Sequence, residues 1–135
     1  MHNSARARGF TLIEVIIAMA IVAILVAVAL PTYRDHMRKS RRAETQAYLM
    51  AVASRQQQFL LDTRAYAPSL ATVGLAAPAN VSAAYDVVVV AVAGPPPTFT
   101  LTATPKASTD QVHERCGTLG IDQSGAKTAA VATCW

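Results

Sequence analysis

Few groupings of residues in this 135-residue chain could carry out chemistry. Ser108, Asp110 and His113 have the types of a nucleophile, an orienting carboxylate and a base, all within one short polar segment. A catalytic triad is set by geometry, however, and residues this close in a loop are ordinarily just solvated. The histidines His2, His36 and His113 are scattered, and two cysteines without clustered histidines do not supply the four ligands of structural zinc. There is no glycine-rich phosphate loop and no carboxylate–histidine metal cluster. The expectation is a protein that is not an enzyme, with no metal and no cofactor. Cys116 and Cys134 suggest another chemistry: two cysteines around a short loop, downstream of an apolar segment, fit a disulfide made in an oxidising compartment. Closing such a loop contributes roughly 3 kcal/mol in the chain-entropy picture. Two free thiols in a cytosolic domain are the alternative.

Glu14 is the other residue in an unusual setting. From Phe10 to Leu30 the chain reads FTLIEVIIAMAIVAILVAVAL, and Glu14 is the only charge in it. As a helix this run is about 30 Å long, the thickness of a bilayer's hydrocarbon core. A buried core helix is the competing reading, but the rest of the chain is too short to surround a helix apolar on every side. The run also exceeds a usual signal-peptide core, and Pro31-Thr32-Tyr33-Arg34-Asp35 lacks a small-x-small cleavage pattern, so the segment is expected to be retained. A carboxylate in lipid costs about 2.5–3.5 kcal/mol at the bilayer centre and less near an edge. Glu14 lies one turn inside, so it either snorkels to the headgroups or has a partner.

Net charge is +4 and the isoelectric point is near 9.4. Much of that charge is one cluster after the apolar run: Arg34, Arg38, Lys39, Arg41 and Arg42, diluted by Asp35. Only Arg6 and Arg8 precede the run, so a count of flanking cations would leave the C-terminal part in the cytoplasm. A disulfide would place it outside. The motif at the membrane edge decides between them.

Residues 5–14 read ARARGFTLIE: a short basic leader ends in Gly9, bulky Phe10 follows, and Glu14 stands four residues on. This resembles the class III signal of type IV pilins and pseudopilins, in which G-F-T-L-I-E marks the prepilin peptidase site; Pro31 matches a proline of the same family. The resemblance implies cleavage between Gly9 and Phe10, N-methylation of the new Phe10 amine, and a periplasmic C-terminal domain. It also implies that Glu14 serves assembly, pairing with the amine of a neighbouring subunit. The leader's cations then leave with it. Glycine suits the cleavage site because no side chain hinders approach to the backbone.

Pro31 lacks an N–H and is expected to kink the helix. Beyond it, Thr32 to Leu61 holds no glycine or proline, and Leu49, Val52, Ala53, Phe59 and Leu60 recur at helical spacing, with Gln56 as a polar break. This predicts one long helix ending near Asp62. Residues 63–84 read as an irregular connector. Tyr85–Val92 fits a buried strand, and Thr98–Thr104 alternates strictly, with Phe99, Leu101 and Ala103 on one face. Gly117–Asp122 and Lys127–Val131 are candidate third and fourth strands turning at Gln123-Ser124-Gly125, stapled by Cys116 and Cys134.

The fold class expected is α+β: a long N-terminal helix packed on a C-terminal antiparallel sheet of 3–4 strands. The divisions expected are leader 1–9, transmembrane half 10–30, amphipathic stem 31–62 and globular domain 63–135. The stretch RRAETQAYLMAVASRQQQFLLDTRAYA, with CGTLGIDQSGAK and a final Cys-Trp, resembles PilE-like minor pilins. That resemblance implies a pilus subunit held in the inner membrane before assembly and extracellular afterwards, supporting twitching motility, adhesion or DNA uptake. Its implied partners are prepilin peptidase, other pilin subunits in a helical filament, and the inner-membrane assembly machinery. A type II secretion pseudopilin and a DNA-binding competence pilin are the alternatives. For nucleic acid, Arg34, Arg38, Arg41 and Arg42 are candidate phosphate contacts, although neighbouring subunits or lipid would cover them. A solvent-facing basic strip on the sheet domain would favour DNA, and only Lys106, Arg115 and Lys127 could form one.

Overall fold

A computed structural model describes residues 9–135; the leader cations Arg6 and Arg8 lie outside the described residues. The chain divides into two compact units, one reaching to Asp35 and one from His36 to Trp135. A single helix, α1 (Leu12–Thr63), belongs to both. In the first unit every residue from Gly9 to Asp35 is exposed, so the apolar run is not the core of a soluble domain here. Its length and composition suffice to cross a membrane. Pro31 lies inside α1, and helix continues through it without the N–H that would reach the Ala27 carbonyl.

In the second unit α1 buries one stripe, Thr45, Tyr48, Leu49, Val52 and Gln56, at the i, i+3, i+4 spacing of one helix face. Gln56 is no break. It is fully buried, its Nε2 donating to the Ala67 carbonyl (2.9 Å) and its Oε1 accepting from the Ala67 N–H (2.8 Å). A buried amide that satisfies a backbone pair in this way ties the chain after α1 back onto the helix.

That following segment corrects the expected irregular connector. It contains two short helices, α2 (Leu70–Val73) and α3 (Ala79–Ala84). The Ser69 hydroxyl accepts from Thr72 N–H at the start of α2, and Gly74, at φ 73°, closes it in the left-handed conformation that glycine holds without strain. Pro78 precedes α3. Runs this short depend on such caps and on packing, so periodicity does not reveal them.

Four strands follow: β1 (Tyr85–Val92), β2 (Thr98–Pro105), β3 (Leu119–Asp122) and β4 (Lys127–Thr128), paired antiparallel in chain order. β1 pairs with β2 along its whole length, Val89 opposite Leu101, and Leu101 in turn faces Ile121 of β3. Alternation sets the faces: Tyr85, Val89, Phe99, Leu101, Ala103, Leu119 and Ile121 are buried, while Val88, Val90 and Val92 are exposed. The third strand starts later than Gly117, which has φ 56°, and the fourth is far shorter than Lys127–Val131 because the chain leaves the ladder for the disulfide. The inner face shares one core with Tyr48, Leu49 and Val52 of α1, and the Tyr66 ring meets Phe99 edge-on at 4.6 Å. At the β3–β4 turn, the Asp122 carboxylate accepts from Ser124 and Ala126. The Ser124 hydroxyl, followed by backbone N–H groups, holds its carboxyl below the usual range.

Candidate functional site

Two regions carry the residues singled out by type. At the N-terminal end, Gly9 and Phe10 are exposed and precede the helix, with Phe10 at 84%. Glu14 lies one turn on and reaches back: the Thr11 N–H points at its Oε2 (3.5 Å), and the Glu14 N–H at the Thr11 hydroxyl (3.4 Å). This is the reciprocal arrangement of a capping box, which occupies two N–H groups that a helix start leaves unpaired. The residues around Glu14 on this face, Val15, Ala18, Met19 and Val22, are apolar. Lateral contact with another apolar helix is the chemistry such a surface offers.

The second region lies where the stem part of α1 meets the segment after β2. The bonds here form a ladder. Arg38 donates through Nε and an η nitrogen to both Asp110 oxygens (2.7 and 2.9 Å), and Arg42 donates to Glu114 Oε1 (2.6 Å). Both pairs are spaced i, i+4 on each partner segment, so a helical turn of arginines matches a turn of acids. The pairs differ in burial: Arg42 and Glu114 side chains are 18% and 4% exposed, whereas Arg38 and Asp110 are 19% and 43%. Between the rungs, fully buried Gln111 donates from Nε2 to the Arg38 carbonyl (3.0 Å) and to the Tyr85 hydroxyl (2.9 Å). Burial pushes the Tyr85 phenol above its ordinary value, an effect that the Gln111 bond partly offsets.

Below the ladder sits the disulfide Cys116–Cys134, its Cα atoms 5.7 Å apart. Arg42 also reaches Cys116 Sγ (2.7 Å), the Cys116 N–H donates to Glu114 Oε2 (2.9 Å), and Gln46 Nε2 donates to the Cys134 carbonyl. The structure therefore brings the two cysteines together and engages two of the five cations of the basic cluster, Arg38 and Arg42, within the chain. Arg38 and Arg42, expected to face neighbouring subunits or lipid, hold their own domain's acids instead. Asp110, the carboxylate of the Ser108–Asp110–His113 grouping, accepts from Arg38 at both of its oxygens. Among the described residues no group of acids, histidines and cysteines could hold a metal ion.

The candidate strip on the sheet domain is only partly realised. Lys106 is engaged with the Ser82 carbonyl (2.7 Å) and Asp86 (3.5 Å). Arg115 and Lys127 are exposed beside the disulfide. Lys127 Nζ lies 5.1 Å from the Trp135 ring centre, and the indole N–H donates to the Thr128 carbonyl (2.8 Å). Sequence reasoning missed Gln46, Gln111 and Glu114; only the i, i+4 repeat of Asp110 and Glu114 could have hinted at the ladder.

Residues 31–120 match the family described as type IV minor pilin ComP, DNA uptake sequence receptor. Residues 4–30 match the prokaryotic N-terminal methylation motif. The type IV major pilin PilA of Myxococcus xanthus is 35% identical over 71 residues, covering 53% of this chain and 32% of that one. The type IV wide pilus major component PilA4 of Thermus thermophilus is 36% identical over 80 residues, covering 56% and 61%. The type IV major pilin PilE1 of Neisseria gonorrhoeae is 35% identical over 71 residues, covering 53% and 43%. The chain thus spans less than two thirds of the length of these relatives.

Proposed function

Because the chain belongs to the type IV minor pilin family, we propose that it is a pilus subunit, cut between Gly9 and Phe10 by a prepilin peptidase and methylated on the new Phe10 amine. The observation that carries this is an exposed apolar segment, Phe10–Leu30, whose single charge stands one turn from the cut. Before assembly that segment holds the protein in the inner membrane with the globular domain in the periplasm, the compartment in which a disulfide persists. The inner-membrane assembly machinery then draws it into a helical filament, where neighbouring pilin helices cover the apolar surface and the subunit becomes extracellular. Cleavage leaves a positive amine, and Glu14 gains a partner from a neighbouring subunit in place of its own helix end. Pro31 gives the helix a point at which to bend as it packs.

Glu14→Leu tests the assembly role. It should insert into the membrane at least as well, since a charge is removed from lipid. It should be depleted from filaments sheared from cells. Normal incorporation of the variant would contradict the pairing role.

A second reading has its own support. The matched family is described as a DNA uptake sequence receptor, and the disulfide loop offers two exposed cations, Arg115 next to Cys116 and Lys127 beside the Trp135 ring. On this reading they contact phosphates. The full chain in detergent should bind sheared chromosomal DNA of its own bacterium. In R115Q/K127Q, binding should weaken and the salt dependence of log K should lose about two units of slope, one per phosphate contact. An unchanged slope would remove these residues from the interface.

A further inference from the structure

The bonds by which Asp110, Gln111, Glu114 and the Cys134 carbonyl hold the segments bearing Cys116 and Cys134 to α1 involve no sulfur. Asp110, Gln111 and Glu114 fasten the first cysteine's segment through Arg38 and Arg42. Gln46 fastens the second segment through the Cys134 carbonyl. Arg38, Arg42 and Gln46 follow one another at i, i+4, i+8 on a single ridge of the helix. Arg42 addresses one cysteine and Gln46 the other, and one step of four residues along the axis is about 6 Å. The bridged Cα atoms are 5.7 Å apart. A backbone bond from the Ala130 N–H to the Cys116 carbonyl (3.0 Å) closes the loop between them, again without sulfur.

We propose that the Arg38–Arg42–Gln46 ridge is a template that holds the two thiols within bonding distance before their bond exists, so that the domain folds first and oxidises second. This inference concerns the maturation of the domain and does not rest on the pilus reading. Chemically, one cysteine thiolate attacks the disulfide of a thiol–disulfide carrier and releases one carrier thiol. The other cysteine then attacks the mixed disulfide and releases the second. Two electrons pass to the carrier, and the two cysteine protons end on its two thiols. The template raises the rate and extent of the second, intramolecular step, because the attacking sulfur is already in place.

The test equilibrates the full chain in detergent with defined ratios of reduced and oxidised glutathione, and reads the effective concentration of the thiol pair. Wild type should keep its Trp135 near-ultraviolet signal when reduced. Effective concentration should fall about tenfold or more in Arg42→Gln/Gln46→Ala, as expected for losing bonds that involve a charged group. Tyr48→Phe, which removes a bond from α1 to the Leu75 carbonyl outside the loop that the two cysteines close, should leave it unchanged. If the double variant does not fold, Gln46→Ala alone is read and should still lower the value. Loss of structure in reduced wild type, or an unchanged effective concentration in the variants, would overturn the proposal.

Discussion

Arg64 closes α1 at φ 59°, with its N–H donating to the Leu60 carbonyl (2.8 Å). This is the position at which helices usually place glycine, because a Cβ strains the left-handed conformation. Arg64→Gly should therefore stabilise the domain by up to about 1 kcal/mol, measured by urea unfolding followed through Trp135 fluorescence. Tyr85 makes a prediction about pH. Its phenol is pushed up chiefly by burial, so the unfolded chain ionises first as pH rises. The stability present below about pH 10 should decline through the raised folded value, and Tyr85→Phe should flatten that decline. Gln56 and Glu114 show what single residues conceal. A glutamine in an apolar stripe reads as an interruption, yet here its amide satisfies both polar groups of Ala67. Glu114, in a polar run, is buried because Arg42 and the Cys116 N–H reach it. Neither role follows from spacing, since each partner is distant in the chain or fixed by the fold.

At the level of elements, the ladder between stem and loop should be unequal in energy. Removing one member of a buried ion pair strands the other charge and costs about 3–5 kcal/mol, whereas an exposed pair contributes about 0–1 kcal/mol. Arg42→Ala should therefore destabilise far more than Arg38→Ala in the same urea titration; equal effects would contradict the difference in burial. Replacing both cysteines by serine should cost about 3 kcal/mol on loop-closure grounds. The two long strands were legible for different reasons: β2 alternates Phe99, Leu101 and Ala103 with threonines, and the structure buries those three, whereas β1 was legible from its β-branched run but is not the buried strand expected, since Val88, Val90 and Val92 are exposed. The long helix was legible because nothing between Thr32 and Leu61 interrupts it. The helices α2 and α3 were not, because four and six residues carry too little pattern and depend on Ser69, Gly74 and Pro78 to mark their ends. The basic cluster was visible but its use was not, since matching Arg38 and Arg42 to Asp110 and Glu114 requires the fold to bring together residues 72 apart.

Across the whole molecule the design separates tasks. The stem and sheet form a domain with its own core, its own ladder and a disulfide. The apolar segment before it buries nothing of its own. A helix of that kind is stable in lipid or against other helices, and the cleavage at Gly9–Phe10 and the pairing by Glu14 proposed above would convert one situation into the other. The central claim is that the mature protein starts at Phe10 and resides in filaments. Mass spectrometry of the N-terminal peptide from sheared, washed filaments tests it most directly. The predicted result is a peptide beginning at Phe10 and heavier by one methyl group. A filament-borne chain that begins at Met1 or at any residue other than Phe10, or the chain's absence from filaments while it accumulates in the membrane, would contradict it.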